Sequence, residues 1–563
     1  MNNMILLLKQ LERQGVKLAL NDKGQLISQS SKEAVTPAIG ATIKAHKDEL
    51  VRCLAARAAF EAPIVAEGAR QGPLSSSQSG LWFIEQYEEA SHLYNMPVYF
   101  RVKGELDTAA LEFAFDHLFA RHPSMRTRFI KDEAGRGAQE ILPHTPFTLQ
   151  IEDVSAEPAA EREAYVARRV REEIGRPFSL TQGDLSRVHL IRLGSREHVL
   201  LITQHHIISD GWSVKNMFAD LKRAFLAHQN REPLQVSELP LTYIDYARWF
   251  NSPRFLDYHA EFKPFWVDRL GGSPEVHGLP LDKPRPAHQD SGGELVFSTI
   301  ESDLWESFKR LCQRHSTSNF IGLHALFALL MVRQSGEKEV VIGTPLAYRE
   351  RHEIESLVGF FVNTLVLRTP VDLAADAQTL VQVVRAADTL ALDNADIPFE
   401  YLVDALAPVR TEAHTPLYQI QLSFQNYGVG QDAGDGALGV GNLVIEPMQA
   451  PRTTVQNDLS FVLAPDATGG WTGYLPYATD LYDEESAQRL AQRFAEFLAE
   501  FVAEPERPVG ELSLIDGAEL AELGRWSYGA AREVPSALIP DVIVARAAAA
   551  PAAVELVFEG RSV

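Results

Sequence analysis

Cysteine is nearly missing: there are two in 563 residues, Cys53 and Cys312, with no metal-ligand spacing. That excludes a disulfide framework and points to a reducing compartment. Long apolar runs are missing too. No segment approaches the ~20 apolar residues that a membrane helix needs. Residues 1–8 lack the basic start and small-residue cleavage site of a signal peptide. The expectation is a cytoplasmic protein with no membrane contact. Basic charge is scarce: 53 Lys and Arg stand against 75 Asp and Glu, a net of -22. No basic surface can dominate, which argues against a nucleic-acid partner. What remains is ordinary for a globular protein, with 45% hydrophobic and 23% charged residues. The length predicts several folding units.

The most informative stretch is residues 204–213, QHHIISDGWS. The apolar run Val199, Leu200, Leu201 and Ile202 leads into it as a buried strand. Val214, Phe218, Leu221 and Phe225 then recur on one helical face. His205 and His206 therefore sit in the turn between a strand and a helix, where a fold can present side chains to a cleft. A histidine with a free ring nitrogen can take a proton from an amine near neutral pH. Asp210 is placed to fix the local geometry, and Gly211 suits a permissive turn. Taken alone, such a pair is more often structural than catalytic.

The first 60 residues read as a separate small domain. Met4, Leu7, Leu8 and Leu11 have helical spacing, and Gly15 stops that helix. Residues 16–20 and 25–28 form a hairpin around the turn Asn21, Asp22, Lys23, Gly24. Thr36 caps a second helix with Pro37 in its first turn, and a third runs through Leu50, Val51 and Leu54. Open hairpin edges near Lys17, Leu18, Lys23 and Leu26 could accept another chain's strand. Residues 1–58 carry nine basic and five acidic side chains, a net of +4 on an acidic chain. That suggests an acidic partner segment. Residues 61–73, rich in Ala, Gly and Pro, read as a flexible linker.

The string at 204–213 resembles the HHxxxDG signature of nonribosomal peptide synthetase condensation domains, shared with chloramphenicol acetyltransferase-like acyltransferases. Six further stretches resemble that family's motifs in order: Ser75 to Trp82 with Gln78, Arg121 to Phe129, Tyr243 to Trp249, the segment Gly359 to Arg368, Asp396 with Pro398, Phe399 and Glu400, and Pro416 with Leu422 to Asn426. Departures include Gly80 for arginine, Pro123 for glutamate, and Asn394 and Ala395 for His-Gln. Gly80 blurs the condensation subclass. The N-terminal segment resembles TubC-type docking domains, whose hairpin captures the C-terminal tail of the preceding synthase. Residues 526–529 and 554–562 resemble the linker and opening of an adenylation domain.

The resemblance implies an α/β (α+β) fold: a small αββαα docking domain, then a V-shaped pair of chloramphenicol acetyltransferase-like lobes. The expected divisions are docking domain 1–60, linker 61–73, N-terminal lobe 74–250, C-terminal lobe 251–515, and adenylation linker and start 516–563. It further implies His206 as the residue that meets the acceptor amine, with His205 supporting the turn. It implies a structural pair between Asp210 and Arg349. Trp212, Ser213 and Asn363 are expected at the tunnel wall or in motif packing. No metal or directly bound cofactor is implied; phosphopantetheine arms of donor and acceptor carrier proteins would enter the tunnel. A downstream adenylation domain and an upstream synthase tail complete the expected partners. The alternatives are a coenzyme A-dependent acyltransferase and a catalytically silent recruitment domain. Heterocyclisation is disfavoured by the paired histidines, and epimerisation by the adenylation-like continuation.

Overall fold

A computed structural model describes residues 4–31, 34–87, 92–349, 351–409, 411–425, 438–448, 454–465, 470–529, 536–553, 557–558 and 561–562. Lys32 and Glu33 of the basic N-terminal segment, Asn426 of the last motif, and Val554, Glu555, Leu556, Glu559 and Gly560 of the adenylation-like stretch lie outside these residues. The chain forms two compact units, Met1–Leu512 and Ser513–Val563.

The first unit begins with α1 (Met4–Arg13), whose Met4, Ile5, Leu8 and Leu11 are buried; Gly15 at φ +81° follows it. A positive φ there costs glycine nothing, so the helix stops cleanly. Strands β1 (Leu18–Leu20) and β2 (Leu26–Ser28) pair antiparallel, with Leu18 opposite Ser28. The Asn21 carboxamide oxygen accepts from the backbone N–H of Lys23 and of Gln25 and so closes the turn. Helix α2 (Pro37–Ala45) is capped by Thr36, and α3 (Lys47–Glu61) follows. Helix, hairpin, helix, helix is the predicted order.

This small core does not close on itself. Leu8, Leu50 and Leu54 belong to one apolar cluster with Tyr258, Phe262, Trp266 and Leu402, which lie far along the chain. The Phe60 ring stacks on Tyr258 at 4.2 Å and lies 5.1 Å from Trp249. Arg13 pairs with the Asp393 carboxylate, and Lys9 donates to the Asp393 carbonyl. The flexible-linker expectation for 61–73 is corrected by the same region. Arg351 donates to the Phe60 and Ala62 carbonyls at 2.6 and 3.0 Å, Ile64 is buried, and Glu67 N–H donates to Asp245. The segment then ends as β3 (Gln71–Pro73), edge strand of a three-stranded sheet. Charge-assisted clamps and burial outweigh its Ala/Gly/Pro composition.

The next elements are α4 (Ser76–Tyr87), β4 (Asn95–Lys103), α5 (Thr108–Arg121), β5 (Thr127–Lys131), β6 (Gly137–Ile141), β7 (Gln150–Asp153), α6 (Ala159–Gly175), β8 (Ser186–Gly194), β9 (Glu197–His205), α7 (Gly211–Asn230) and α8 (Tyr243–Phe250). Strand β9 lies between β4 and β8. Its Leu200 and Ile202 face α5 and α7, while Val199 and Leu201 face α6. A strand covered on both faces reads as a continuous apolar run, which is why Val199 to Ile202 does not alternate.

The second lobe holds α9 (Pro253–Ala260), α10 (Lys263–Leu270), β10 (Gly293–Ile300), α11 (Ser302–Arg314), α12 (Asn319–Ser335), β11 (Glu339–Leu346), α13 (His352–Glu355), β12 (Asn363–Pro370), α14 (Ala377–Leu392), α15 (Phe399–Leu406) and β13 (Ile420–Phe424). After β14 (Leu438–Val440) and β15 (Leu443–Met448) come β16 (Leu459–Pro465), β17 (Trp471–Ala478) and α16 (Glu484–Ala503). Its sheet runs β10-β17-β16-β13-β11-β12. The expected lobe division at 251–515 needs one correction. Strands β14 and β15 leave this lobe and extend the first sheet, with Val444 opposite Lys103 and Met448 opposite Tyr99. Backbone pairing to the β4 edge satisfies donors that would otherwise be left open.

The second unit contains α17 (Gly517–Ser527), α18 (Ile539–Ala549) and a two-residue strand pair, Val557–Phe558 with Arg561–Ser562. Neither helix buries a residue. Among the described residues no single helix is long and apolar enough to cross a membrane.

Candidate active site

The two histidines close β9 and open a 3-10 turn, His206–Ile208, before α7. The His206 backbone N–H donates to the Tyr94 carbonyl at 2.9 Å. Its Nδ1 lies 2.8 Å from the Ser209 carbonyl oxygen. A carbonyl can only accept, so Nδ1 carries the proton and Nε2 of the neutral ring carries the lone pair. Among the described residues nothing hydrogen-bonds to Nε2. Burial lowers the His206 pKa below its ordinary value, with the charge of Asp210 opposing. The ring therefore stays neutral, with a basic nitrogen available. The Phe360 ring from the second lobe stands edge-on to it at 4.8 Å.

His205 holds the opposite tautomer. Its Nδ1 accepts from Ile207 N–H at 3.1 Å, and its Nε2 lies 3.3 Å from Glu85 Oε1 on α4. Both ring nitrogens are engaged and the side chain is buried, so His205 shapes the turn and has no nitrogen free for a substrate. Gln78, also on α4, donates to the Ile207 carbonyl at 3.2 Å.

Asp210 is fully buried and caps α7, accepting from Ser213 N–H at 2.7 Å. Arg349 Nη2 donates to its two oxygens at 3.1 and 3.3 Å, and Phe361 N–H donates to Oδ2 at 3.0 Å. The same guanidinium donates to Ser213 Oγ and to the Ile354 and Leu357 carbonyls, and it stacks over Phe361. Asp210 thus fastens the histidine turn to the second lobe and has no geometry for carrying protons. Gly211 is the exposed first residue of α7.

The three residues expected at the tunnel wall or in motif packing all make packing contacts. Ser213 is buried, donating to the Gly359 carbonyl and accepting from Gly359 N–H. Asn363 is buried too: its Nδ2 donates to the Ile397 carbonyl and its Oδ1 accepts from Phe399 N–H. Both lock loops, because a buried polar group needs its full set of partners. Half-buried Trp212 donates Nε1 to the Glu355 carbonyl, another tie to the second lobe. At the hairpin, Lys17 and Lys23 are exposed and Leu26 is half-buried, but Leu18 points into the core. Leu18 can offer a partner strand its backbone and not its side chain.

Glu85 lies outside every motif, while contacts between motifs tie the lobes together. Glu85 touches His205, while Ser76 of α4 donates to Glu400 at 3.1 Å and Ser75 meets the Tyr243 hydroxyl at 3.0 Å. Burial raises the Glu400 pKa. The trace in the sequence is that Gln78 and Glu85 lie seven residues apart, two helical turns on one face. The two cysteines take no part, since burial pushes both thiols up to about 12. Among the described residues no group of three His, Cys, Asp or Glu side chains could hold a metal ion.

Comparison with known proteins gives two family matches: "Condensation domain" over residues 69–523 and "TubC N-terminal docking domain" over residues 5–55. Malpinin synthetase of Mortierella alpina is 35% identical over 79% of this chain, which spans only 6% of that relative's length. The X-domain in a complex with OxyB from teicoplanin biosynthesis superposes with a TM-score of 0.70 at 26% identity, covering 81% of this chain and 98% of that one. The first condensation domain of the calcium-dependent antibiotic synthetase, at 20% identity, shares the fold with a TM-score of 0.67 over 79% of this chain and 99% of that one.

Proposed function

The chain belongs to the condensation-domain family of nonribosomal peptide synthetases, with a TubC-type docking domain in front, and from that premise we propose that it forms an amide bond. The donor is an acyl or peptidyl thioester on an upstream carrier protein. The acceptor is the amine of an aminoacyl thioester on the downstream carrier. Condensation domains of this family work on carrier-bound substrates, and here the carriers' phosphopantetheine arms bring both thioesters to His206.

The observation that carries the reading is the His206 tautomer. The Ser209 carbonyl holds the proton on Nδ1, so Nε2 can accept the N–H of the acceptor amine. The amine nitrogen attacks the donor thioester carbonyl carbon, the new C–N bond forms, and the C–S bond breaks. The amine proton passes to Nε2 and from there to the departing carrier thiolate. Asp210 and Arg349 keep the turn in place, and the tail of the upstream synthase docks on the N-terminal hairpin.

Replacing His206 with alanine should slow amide formation by about 10²-fold or more, the usual scale of a general acid–base group. Intact mass of the downstream carrier, after mixing loaded carriers with the full chain, measures it. A variant that forms product at the wild-type rate removes His206 from the chemistry. The X-domain neighbour, described in a complex with OxyB, supports a recruiting role as the second reading, and a wild-type chain inert toward loaded carriers would favour it.

A further inference from the structure

We propose that Glu85 is a positioning residue for amide formation, acting on His206 through the tautomer of His205. The inference rests on the amide-forming reading above and adds a residue to it.

Glu85 lies on α4, in the first lobe but 120 positions from His205 in sequence. Its side chain is 6% exposed, and that of His205 is 1% exposed. A carboxylate so far from water needs a donor, and His205 Nε2–H supplies one. The other ring nitrogen decides what this contact does. Ile207 N–H points at Nδ1. A doubly protonated imidazole would set Nδ1–H against that N–H, so the ring is held neutral with its proton on Nε2. Glu85 thus selects the one tautomer whose Nδ1 can accept from Ile207.

That hydrogen bond from backbone to side chain caps the 3-10 turn His206–Ile208, whose geometry aims the His206 ring. With the proton on Nδ1 of His205, two N–H groups would face each other and the turn would have to open. Gln78 supports the same turn from the same helix by donating to the Ile207 carbonyl. Helix α4 therefore grips the turn at two points, and only Glu85 fixes a protonation pattern.

The test uses the full chain with the carriers of its own synthase, and the wild type serves as the control for amide formation itself. Glu85→Met, which keeps length and apolar fit, should lower the rate at saturating acceptor about tenfold or more and leave the half-saturating acceptor concentration unchanged, since misplacing a reacting group acts on the chemical step. Glu85→Gln keeps an oxygen that accepts from Nε2–H and should recover most of that loss. His205→Asn keeps an acceptor for Ile207 but cannot reach position 85, so adding Glu85→Met to it should cost nothing further. If Glu85→Met melts without a cooperative transition, Glu85→Ala takes its place in the same cycle. A wild-type rate in Glu85→Met, a glutamine variant as slow as the methionine one, or full additivity with His205→Asn would each overturn the proposal. A wild type that forms no amide would overturn the functional reading instead.

Discussion

Replacing Asp210 with alanine leaves the Arg349 guanidinium buried among carbonyls with no counter-charge. Removing one partner of a buried pair costs about 3–5 kcal/mol. The melting temperature of Asp210→Ala should therefore fall by roughly 5 °C or more, and a melt superimposable on the wild type would show the pair to be dispensable. His206 adds a pH test. Its folded pKa lies below the ordinary 6.5. The unfolded chain then binds the proton more readily, so this group lowers stability as pH falls through 6.5 and contributes nothing above it. By the same sign, the acid limb of the rate belonging to His206 should lie below about 6.5 once the acceptor amine's own titration is removed. A limb above that value contradicts a neutral ring in this half-buried position. The histidine turn is legible in the sequence because its determinants are adjacent: an apolar strand, a turn and a capping aspartate. Glu85 is not, because its contact with His205 crosses 120 positions and depends on how α4 packs.

At the scale of elements, the seam between the lobes joins side chains of α7 to backbone of the second lobe, as Ser213 and Trp212 show. Gly359 shows how closely: a Cβ there would lie 2.1 Å from Tyr243 Cδ2 and 2.9 Å from the Phe361 ring. Gly359→Ala should cost about 1–3 kcal/mol by overpacking. Thermal unfolding measures it, and an unchanged midpoint would mean that Tyr243 can move aside freely. The order of the N-terminal elements is legible because each is set by local signals, such as Gly15, the Asn21 turn, and Thr36 before Pro37. The crossing of β14 and β15 into the first sheet is not. Its partner strand lies more than 300 residues earlier, and nothing local in the short segment 443–448 distinguishes one sheet edge from another.

At the scale of the whole molecule, the N-terminal domain is the place to look for a partner. An acidic, apolar C-terminal peptide from the upstream synthase should bind the full chain and bind more weakly at high salt, because Lys17 and Lys23 are exposed and their fields are screened. Titration at two ionic strengths measures this; salt-independent binding would remove charge from the recognition. The isolated segment 1–58 is a poor substitute, since it would expose the face that packs on Tyr258 and Trp266. The clamp of Arg351 on the Phe60 and Ala62 carbonyls has a consequence for transfer itself. It leaves no slack between the docking helix and the catalytic lobe. For a tail docked on the hairpin, the distance to His206 would then be a fixed length on this side, and all adjustable reach would belong to the partner's own tether. Effective concentration falls steeply when a tether is too short to span its sites. Trimming the partner's tail should thus end transfer abruptly, and no loosening within residues 61–73 is available to make up the lost span.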